Sequence, residues 1–246
     1  MKYTTSITNI QADGTEIIRG YPLTELATQQ SFAEVIFLLT RGVLPTVNEA
    51  KMFNTILVMA IDHGPGTVSA QNARVAASSK TSIQAAVASG ILAMGDRHGG
   101  AVGNAAQFFK EHKNVNDVSV LVTKLKEQNI RLPGFGHAVL SVDQRSKALF
   151  AMARDTHSFG EHCAFALALE KALQELSSKP VPLNIDGAMA AILLDLDFRP
   201  EITTGIFIIA RVPGLVAQVA EEMENDVGLR RIASDSIEYT GSNTKV

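Results

Sequence analysis

The sequence has only one cysteine, Cys163, no tryptophan, and aromatic residues at 6% of its 246 positions. A single cysteine cannot form an internal disulfide, and it argues against a cysteine-based metal site. The phosphate-binding patterns G-x-x-x-x-G-K-[ST] and G-x-G-x-x-G are also missing. These absences exclude a disulfide-stapled domain and point away from nucleotide-binding loops of the common kinds.

The chain also has no large excess of positive or negative charge. Its net charge is −3, and the charged residues are spread along the sequence. No basic stretch offers an electrostatic footprint for nucleic acid or for a membrane surface. The first six residues lack the charged-then-apolar layout of a signal peptide, and the apolar run at residues 205–220 is interrupted by Arg211 and Pro213. We therefore expect a cytoplasmic protein with no membrane span and no nucleic-acid partner.

Hydrophobic residues make up 46% of the chain, and alanine and glycine are frequent in its middle part. Small side chains let helices approach closely, which favours an all-α fold. Capping boxes predict helices that begin after Ser31 and after Thr46. Residues 4–19 alternate in the manner of a short β-hairpin, and residues 82–94 predict a buried helix at the centre of the fold.

Asp186 follows a short apolar run and precedes an alanine-rich segment that is predicted to be helical. Burial raises the pKa of a carboxyl, whereas the dipole and unpaired N–H groups of a helix N-terminus lower it. A carboxyl under these opposing influences is suited to proton transfer near neutral pH. We predict that Asp186 is catalytic. The alternative is that Asp186 or Asn184 only caps the helix.

Three of the six histidines lie in glycine-rich turns, namely His63, His98 and His137. Histidine can polarise a carbonyl or transfer a proton near neutral pH, and arginine binds carboxylates in a bidentate manner. The candidate arginines are Arg145, Arg211 and the Arg230-Arg231 pair. This set suits proton transfer at a carbon next to a carbonyl in a polyanionic substrate.

Each of these residues also has a simpler interpretation. The histidines could cap turns, and Arg145 and Arg231 could be surface charges. A zinc site is a further alternative, but the spacings of 35 and 39 residues between the three histidines match no short metal motif, so we expect no metal. Arg211 lies within an apolar helix, where burial would require an anionic ligand or an internal acid.

Several motifs are informative together, namely Gly20 to Leu26, Phe32 to Pro45, Asp62-His63-Gly64-Pro65, Gly95 to Ala101, Leu132 to His137, Asn184 to Gly187, and Arg231 with Tyr239. In combination they resemble the citrate synthase superfamily, and within it the citryl-CoA lyases and the C-terminal module of ATP-citrate lyase. The Gly64-Pro65 and Asp96-Arg97 pairs are similar to the lyases, whereas His98 is similar to the synthases. The direction of the reaction therefore stays open.

The resemblance implies an all-α, citrate synthase-like fold with a short N-terminal β-hairpin. It implies a large helical domain of residues 1–98 and 204–246, a smaller helical domain of residues 99–203, and an active site in the cleft. Asp186 would move the proton of the acetyl methyl carbon, and His98 would stabilise the thioester enolate. His137 would act at the oxaloacetate carbonyl or the citryl hydroxyl, with His63 on the same dicarboxylate.

The same resemblance assigns the remaining ligands. Arg145 and Arg211 would bind substrate carboxylates, and Arg231 would reach in from a second subunit of a homodimer or higher oligomer. The backbone of the turn made by Leu132, Pro133, Gly134, Phe135 and Gly136 would hold the adenine of coenzyme A, which serves as a thioester substrate, so no separate cofactor is expected. The spacing from His137 to Arg145 is one residue shorter than in typical synthases.

The function that the resemblance implies is cleavage of citryl-CoA to acetyl-CoA and oxaloacetate. A second possibility is a short citrate or 2-methylcitrate synthase, which would hydrolyse the thioester. A third is a non-catalytic CoA-binding subunit of a larger complex. The intact set of Asp186, His98 and His137 argues against the third, because a binding module needs no acid.

Overall fold

The computed structural model describes residues 3–136 and 143–242, and most of them are helical. Three short strands come first: β1 (Thr8–Ile10), β2 (Glu16–Ile18) and β3 (Tyr21–Pro22). Eleven α-helices follow in the described ranges: α1 (Leu23–Gln29), α2 (Phe32–Arg41), α3 (Val47–Met59), α4 (Val68–Ser78), α5 (Ile83–Leu92), α6 (Ala101–His112), α7 (Val118–Glu127), α8 (Gln144–Asp155), α9 (Glu161–Leu176), α10 (Ile185–Asp195) and α11 (Pro200–Asn225). The predicted all-α class is confirmed.

The predicted N-terminal hairpin is present and has a third strand. Strands β1 and β2 pair antiparallel, with Thr8 opposite Ile18, and β3 adds two residues to the other edge of β2. The turn closes through a 2.9 Å hydrogen bond from the Gln11 amide to the Thr15 carbonyl. A two-residue strand gives no periodic signal, which explains why the sequence predicts only the hairpin.

Both predicted capping boxes form. The Ser31 hydroxyl accepts from the Glu34 amide at the start of α2, and the Glu34 carboxylate accepts from the Ser31 amide at 2.7 Å. Thr46 and Glu49 make the same reciprocal pair at the start of α3. These caps satisfy amide groups that the first helical turn leaves unpaired, so they fix where the two helices begin.

Helix α10 lies at the centre of the core. Nine of its eleven residues are buried, and it packs against α6, α8 and α9. The two residues that are not fully buried are Asp186 and Asp195, one at each end of the helix. A helix that is apolar on all sides needs to be buried, and the surrounding helices bury α10, so it forms a rigid support for Asp186 in its first turn.

The central position predicted for residues 82–94 is wrong. Helix α5 buries only Ala86 and Gly90 completely, while Ile83 and Leu92 are exposed. Its apolar composition resembles that of α10, but composition alone does not tell which apolar helix neighbouring elements surround.

The chain divides into two compact units, each described here by itself. The first unit comprises residues 1–62 and 94–213 and contains the α10 core. The second comprises residues 63–93 and 214–246, where α4 packs against α5. The domain boundaries predicted from the sequence, at residues 98 and 203, remain a prediction.

A buried carboxylate joins two arginines in the second unit. Glu222 is 3% exposed and accepts hydrogen bonds from Arg74 Nε at 2.8 Å and from Arg230 Nε at 2.6 Å. The Arg230 guanidinium, helped by Arg74 and against the effect of burial, holds the pKa of Glu222 below its ordinary value. This network attaches the segment after α11 to α4.

Helix α11 is long and apolar enough to cross a membrane by length and composition alone. However, 44% of its most apolar window is buried, and core helices of soluble proteins meet the same criterion. It continues without a break through Pro213, and Arg211 inside it is 3% exposed. The helix is therefore weak evidence for a membrane span.

Candidate active site

Asp186 is the second residue of α10, but it is not the cap of this helix. The Asn184 side chain occupies the N-cap position and accepts a 3.1 Å hydrogen bond from the Gly187 amide. Because Asn184 already provides the capping oxygen, the Asp186 carboxyl is not needed for that purpose. Of the two caps considered from the sequence, the structure selects Asn184.

The turn at residues 132–136 is fastened to the start of α10. The Asn184 amide donates to the Gly134 carbonyl at 3.0 Å, and its side-chain amide donates to the Gly136 carbonyl at 3.0 Å. Gly134 has a φ of +83°, and a Cβ atom placed there would lie 2.6 Å from the Gly187 Cα atom. The two backbones can approach this closely only because both positions are glycine.

Arg145 is held by a buried aspartate and is not a plain surface charge. Asp143 caps α8, and its side chain is 1% exposed. It accepts hydrogen bonds from the Arg145 Nε at 3.1 Å and from the Arg145 Nη2 at 2.9 Å. It also accepts from the Ile185 amide at 3.1 Å. One carboxylate therefore connects the starts of α8 and α10.

The charges around Asp186 work against each other. Burial raises the pKa of Asp186 to about 6, from an ordinary 3.8, although the positive charges of Arg145 and Arg211 lower it and the negative charge of Asp143 raises it further. Burial therefore has the largest effect. A carboxyl with a pKa near 6 exchanges its proton close to neutral pH, which an ordinary aspartic acid does not.

Arg211 is buried, as the sequence predicts. Its Nε donates to the Ala60 carbonyl at 2.8 Å, and its guanidinium lies 5.0 Å from the centroid of the Phe207 ring. Burial lowers the pKa of Arg211, while the negative charges of Asp62 and Asp186 counteract this effect. Its buried Nη1 has no hydrogen-bond partner among the described residues. A buried cationic donor without a partner can bind an anionic ligand.

His98 lies near the same aromatic ring. The backbone groups of Gly95 and His98 exchange two hydrogen bonds of 2.8 Å, so this glycine-rich turn has a defined shape. The imidazole is half-buried and meets the Phe207 ring edge to face, with 6.5 Å between the ring centroids. His98 and Arg211 thus both lie beside Phe207. Arg145 is linked to Asp186 through its positive charge, which lowers the pKa of that carboxyl.

A cavity of about 290 Å³ opens beside the turn at residues 132–136. Its lining includes Leu132, Phe135 and Gly136 from the turn, and the cationic side chains of Lys126 and Arg131. A lining that combines apolar side chains with positive charge suits a ligand that carries both a flat ring and phosphate groups.

The structure does not test the roles predicted for His63, His137 and Arg231. His63 and Arg231 are exposed and belong to the second unit. His137 lies outside the described residues. Their roles remain predictions.

Asp143 was not among the site residues predicted from the sequence. The signal was an aspartate two residues before an arginine at a helix N-terminus, where the arginine can fold back onto the cap. The partner contact with Ile185 lies 42 residues away. No local pattern indicates a contact of that length.

Cys163 and a possible metal site are the two remaining candidates for chemistry among the described residues. Burial raises the pKa of the Cys163 thiol, as do the charge and hydrogen bond of Asp195, so Cys163 is a core residue and not a nucleophile. Among residues 3–136 and 143–242, no group of three or more histidine, cysteine or acidic side chains is arranged to hold a metal ion.

The family model for the C-terminal domain of citrate synthase matches residues 2–55 and 46–233 in two overlapping segments. The chain belongs to the citrate synthase family. In structure it is similar to the citryl-CoA lyase from Hydrogenobacter thermophilus, with 38% sequence identity and a TM-score of 0.94 over 99% of this chain and 96% of that chain. It is also similar to the citrate synthase from Thermoplasma acidophilum, solved with carboxymethyl coenzyme A and oxaloacetate. That likeness has 27% identity and a TM-score of 0.73 over 88% of this chain and 59% of that chain.

Longer proteins contain a similar segment. A probable ATP-citrate synthase from Dictyostelium discoideum is 30% identical over 241 residues, which is 89% of this chain and 38% of that protein. The matched segment covers between 22% and 38% of the length of such curated relatives. The comparisons confirm the predicted family and the citrate synthase-like fold.

Proposed function

We propose that this chain is a citryl-CoA lyase, which cleaves citryl-CoA into acetyl-CoA and oxaloacetate. The observation that carries the proposal is Asp186, a carboxyl with a pKa near 6 at the head of a buried helix, with Arg145 and Arg211 close enough to influence its charge. The likeness to a citryl-CoA lyase over almost the full length of both chains supports this reaction over others of the family.

In the proposed reaction, His137 removes the proton from the citryl hydroxyl. The electron pair of that O–H bond forms the carbonyl of oxaloacetate, and the C–C bond to the methylene carbon breaks. The electrons of that bond move into the thioester and give the enolate of acetyl-CoA. His98 donates a hydrogen bond to the enolate oxygen, and Asp186 supplies the proton that converts the enolate carbon into the acetyl methyl group.

The electrostatics of Asp186 fit this last step. A carboxyl with its ordinary pKa of 3.8 is almost wholly ionised at neutral pH and has no proton to give. At a pKa of about 6, roughly a tenth of the molecules are protonated at pH 7. Asp186 can therefore act as an acid in cleavage and take the proton back in the reverse direction.

The two ends of the substrate have different partners. Arg211, with its unsatisfied Nη1, and Arg145 bind the carboxylates of the citryl group. The coenzyme A part lies against the turn at residues 132–136, and its adenine uses the cavity beside that turn, where Lys126 and Arg131 meet the phosphates. Because the turn is hydrogen-bonded to Asn184, coenzyme A binding and Asp186 share one rigid support.

The second candidate is a citrate or 2-methylcitrate synthase, favoured by the likeness to the Thermoplasma enzyme and by the presence of His98 in its turn. Such an enzyme uses the same enolate but adds water to the thioester and releases free coenzyme A. The two candidates share every described residue of the site, so the products must separate them.

The test is incubation of the purified protein with citryl-CoA, followed by chromatographic separation of the products. Acetyl-CoA and oxaloacetate in equal amounts, without free coenzyme A, are expected for the lyase. Citrate and free coenzyme A would make the protein a synthase. No turnover, together with coenzyme A binding in a calorimetric titration, would leave a non-catalytic CoA-binding subunit.

A pair of variants links the turnover to Asp186. Asp186→Asn should abolish cleavage and keep coenzyme A binding. Asp195→Asn is the matched control, because Asp195 is the other carboxylate of α10 and lies at its opposite end, nine residues and about 13 Å away along the axis. It should keep both properties. Equal turnover in Asp186→Asn and the unmodified protein would refute the proposed role.

The quaternary structure belongs to the same proposal. Arg231 acts from the second subunit of a homo-oligomer. His63 binds the dicarboxylate part of the substrate. The enzyme is cytoplasmic and needs no metal or added cofactor. Light scattering during turnover tests this arrangement, since a fully active monomer would contradict the role of Arg231.

A further inference from the structure

We propose that Asp143 is a positioning residue for the lyase reaction, holding the Arg145 guanidinium in the orientation in which it meets substrate. The expected effect on citryl-CoA cleavage rests on the proposed function, whereas the fixed orientation of the Arg145 guanidinium does not. The geometry that carries it is the number and direction of the hydrogen bonds that one buried carboxylate accepts.

Each oxygen of Asp143 accepts two hydrogen bonds. Oδ1 accepts from the Arg145 amide at 3.0 Å and from Arg145 Nε at 3.1 Å. Oδ2 accepts from Arg145 Nη2 at 2.9 Å and from the Ile185 amide at 3.1 Å. The Nε–Nη2 edge of the guanidinium therefore forms a bidentate pair with the carboxylate, which fixes both the distance between the two groups and the plane of the guanidinium. A substrate carboxylate must approach Arg145 from another edge.

The carboxylate does more than cap α8. Capping needs one oxygen and one or two backbone amides, which the Arg145 amide already supplies. The bonds to Nε and Nη2 fix a side chain, and the bond to the Ile185 amide fixes the residue before Asp186. Asp143 thus positions both Arg145 and the start of α10 beside Asp186, which explains how two residues 41 positions apart in the sequence keep one relative geometry.

Asp195 provides an internal comparison for this interpretation. It too is a buried carboxylate with four donors: the Gly160 amide at 2.7 Å, the His162 amide at 3.0 Å, the His162 Nδ1 at 2.9 Å and the Cys163 amide at 3.0 Å. Its side chain is 4% exposed, against 1% for Asp143. It holds the start of α9 and no candidate site residue. Loss of either carboxylate should therefore destabilise the fold, but only one should affect catalysis.

The kinetic experiment compares Asp143→Asn with Asp195→Asn in citryl-CoA cleavage. Asp143→Asn should lower kcat/KM about a hundredfold, the usual result of misplacing a substrate-positioning group, while Asp195→Asn should stay within about twofold of the unmodified protein. In an Arg145→Ala background, Asp143→Asn should have a much smaller effect, because only its hydrogen bonds with the backbone amides of residue 145 and Ile185 are then left to lose. Equal losses in the two Asn variants, or an undiminished loss in the Arg145→Ala background, would overturn the inference.

A second measurement needs neither turnover nor a variant at Asp143. In the ¹⁵N spectrum of the unmodified protein, the Arg145 Nε–H, assigned by its absence in Arg145→Lys, should exchange slowly with water because it is bonded to a buried carboxylate. Rapid exchange would refute the inference even if the protein is active. Slow exchange in a protein that fails to cleave citryl-CoA would refute the proposed function and leave the positioning of Arg145 supported.

Discussion

Replacement of Asp186 by asparagine should stabilise the protein while it removes activity. Asparagine has the shape of a protonated aspartic acid and never ionises. Because the pKa of Asp186 is about 6 in the folded protein and 3.8 ordinarily, the folded state binds the proton more tightly than the unfolded chain does. The ionised carboxyl therefore destabilises the fold at neutral pH, and the penalty fades as the pH falls through 6 toward 3.8.

The size of this effect follows from the same values. A rise in pKa from 3.8 to about 6 costs the ionised form about 3 kcal/mol, at about 1.4 kcal/mol for each tenfold change in proton affinity. This net figure already contains the attraction of Arg145 and Arg211. Since Asp186 keeps some contact with water, we expect Asp186→Asn to gain about 2 kcal/mol at pH 8 and about half of that at pH 5.

Urea denaturation of both proteins at pH 5, 6, 7 and 8 measures the gain. The control is Asp195→Asn, because its hydrogen bonds with His162 and Cys163 hold the pKa of Asp195 below its ordinary value, against the effect of burial. A carboxylate of that kind stabilises the fold above its ordinary pKa, so the control should lose stability at pH 8. The predicted gain would be refuted if Asp186→Asn did not raise the free energy of unfolding at pH 8, or raised it equally at pH 5 and pH 8. Either result would show that burial does not raise the pKa of this carboxyl.

Two further substitutions test the support of the site and of the second unit. Gly187→Ala should cost about 2 kcal/mol, because the new Cβ would overlap the Gly134 carbonyl, and it should weaken coenzyme A binding in a calorimetric titration. Gly205→Ala is its control, since the nearest atom there is 3.5 Å away, and an equal loss in both would contradict the close contact. Glu222→Gln should cost about 3 kcal/mol at pH 7 in urea denaturation, because it removes the charge between two arginines. Glu221→Gln, at a side chain 60% exposed, should cost less than about 1 kcal/mol, and similar losses would refute the buried network.

Local patterns in the sequence account for much of the fold. The capping boxes at Ser31 and Thr46 depend on residues three positions apart, so they are visible without any tertiary information. The position of α5 in the fold is not visible in this way. Its apolar residues are as frequent as those of α10, and which helix becomes the core depends on which neighbours surround it.

In the candidate site, too, some residues could be predicted from local sequence and others depend on long-range contacts. Asp186 could be singled out because its carboxyl lies between an apolar run and an apolar helix, and Arg211 because a cation within an apolar helix is unusual. The choice of Asn184 over Asp186 as the cap could not, because both residue types are favoured at that position. The Asp143 carboxylate accepts a hydrogen bond from the Ile185 amide, 42 residues further along the chain, and only the folded backbone brings these groups together.

Helix α10 also sets the mobility of the site. A segment whose residues are almost all buried opens to solvent only when the surrounding core opens, so its amides should be among the slowest in the protein to exchange with deuterium. Asp186 sits in the first turn of that segment. Proton transfer to the substrate would then take place on a helix that does not open to solvent during turnover. Any motion that admits or releases ligand must come from other parts of the chain.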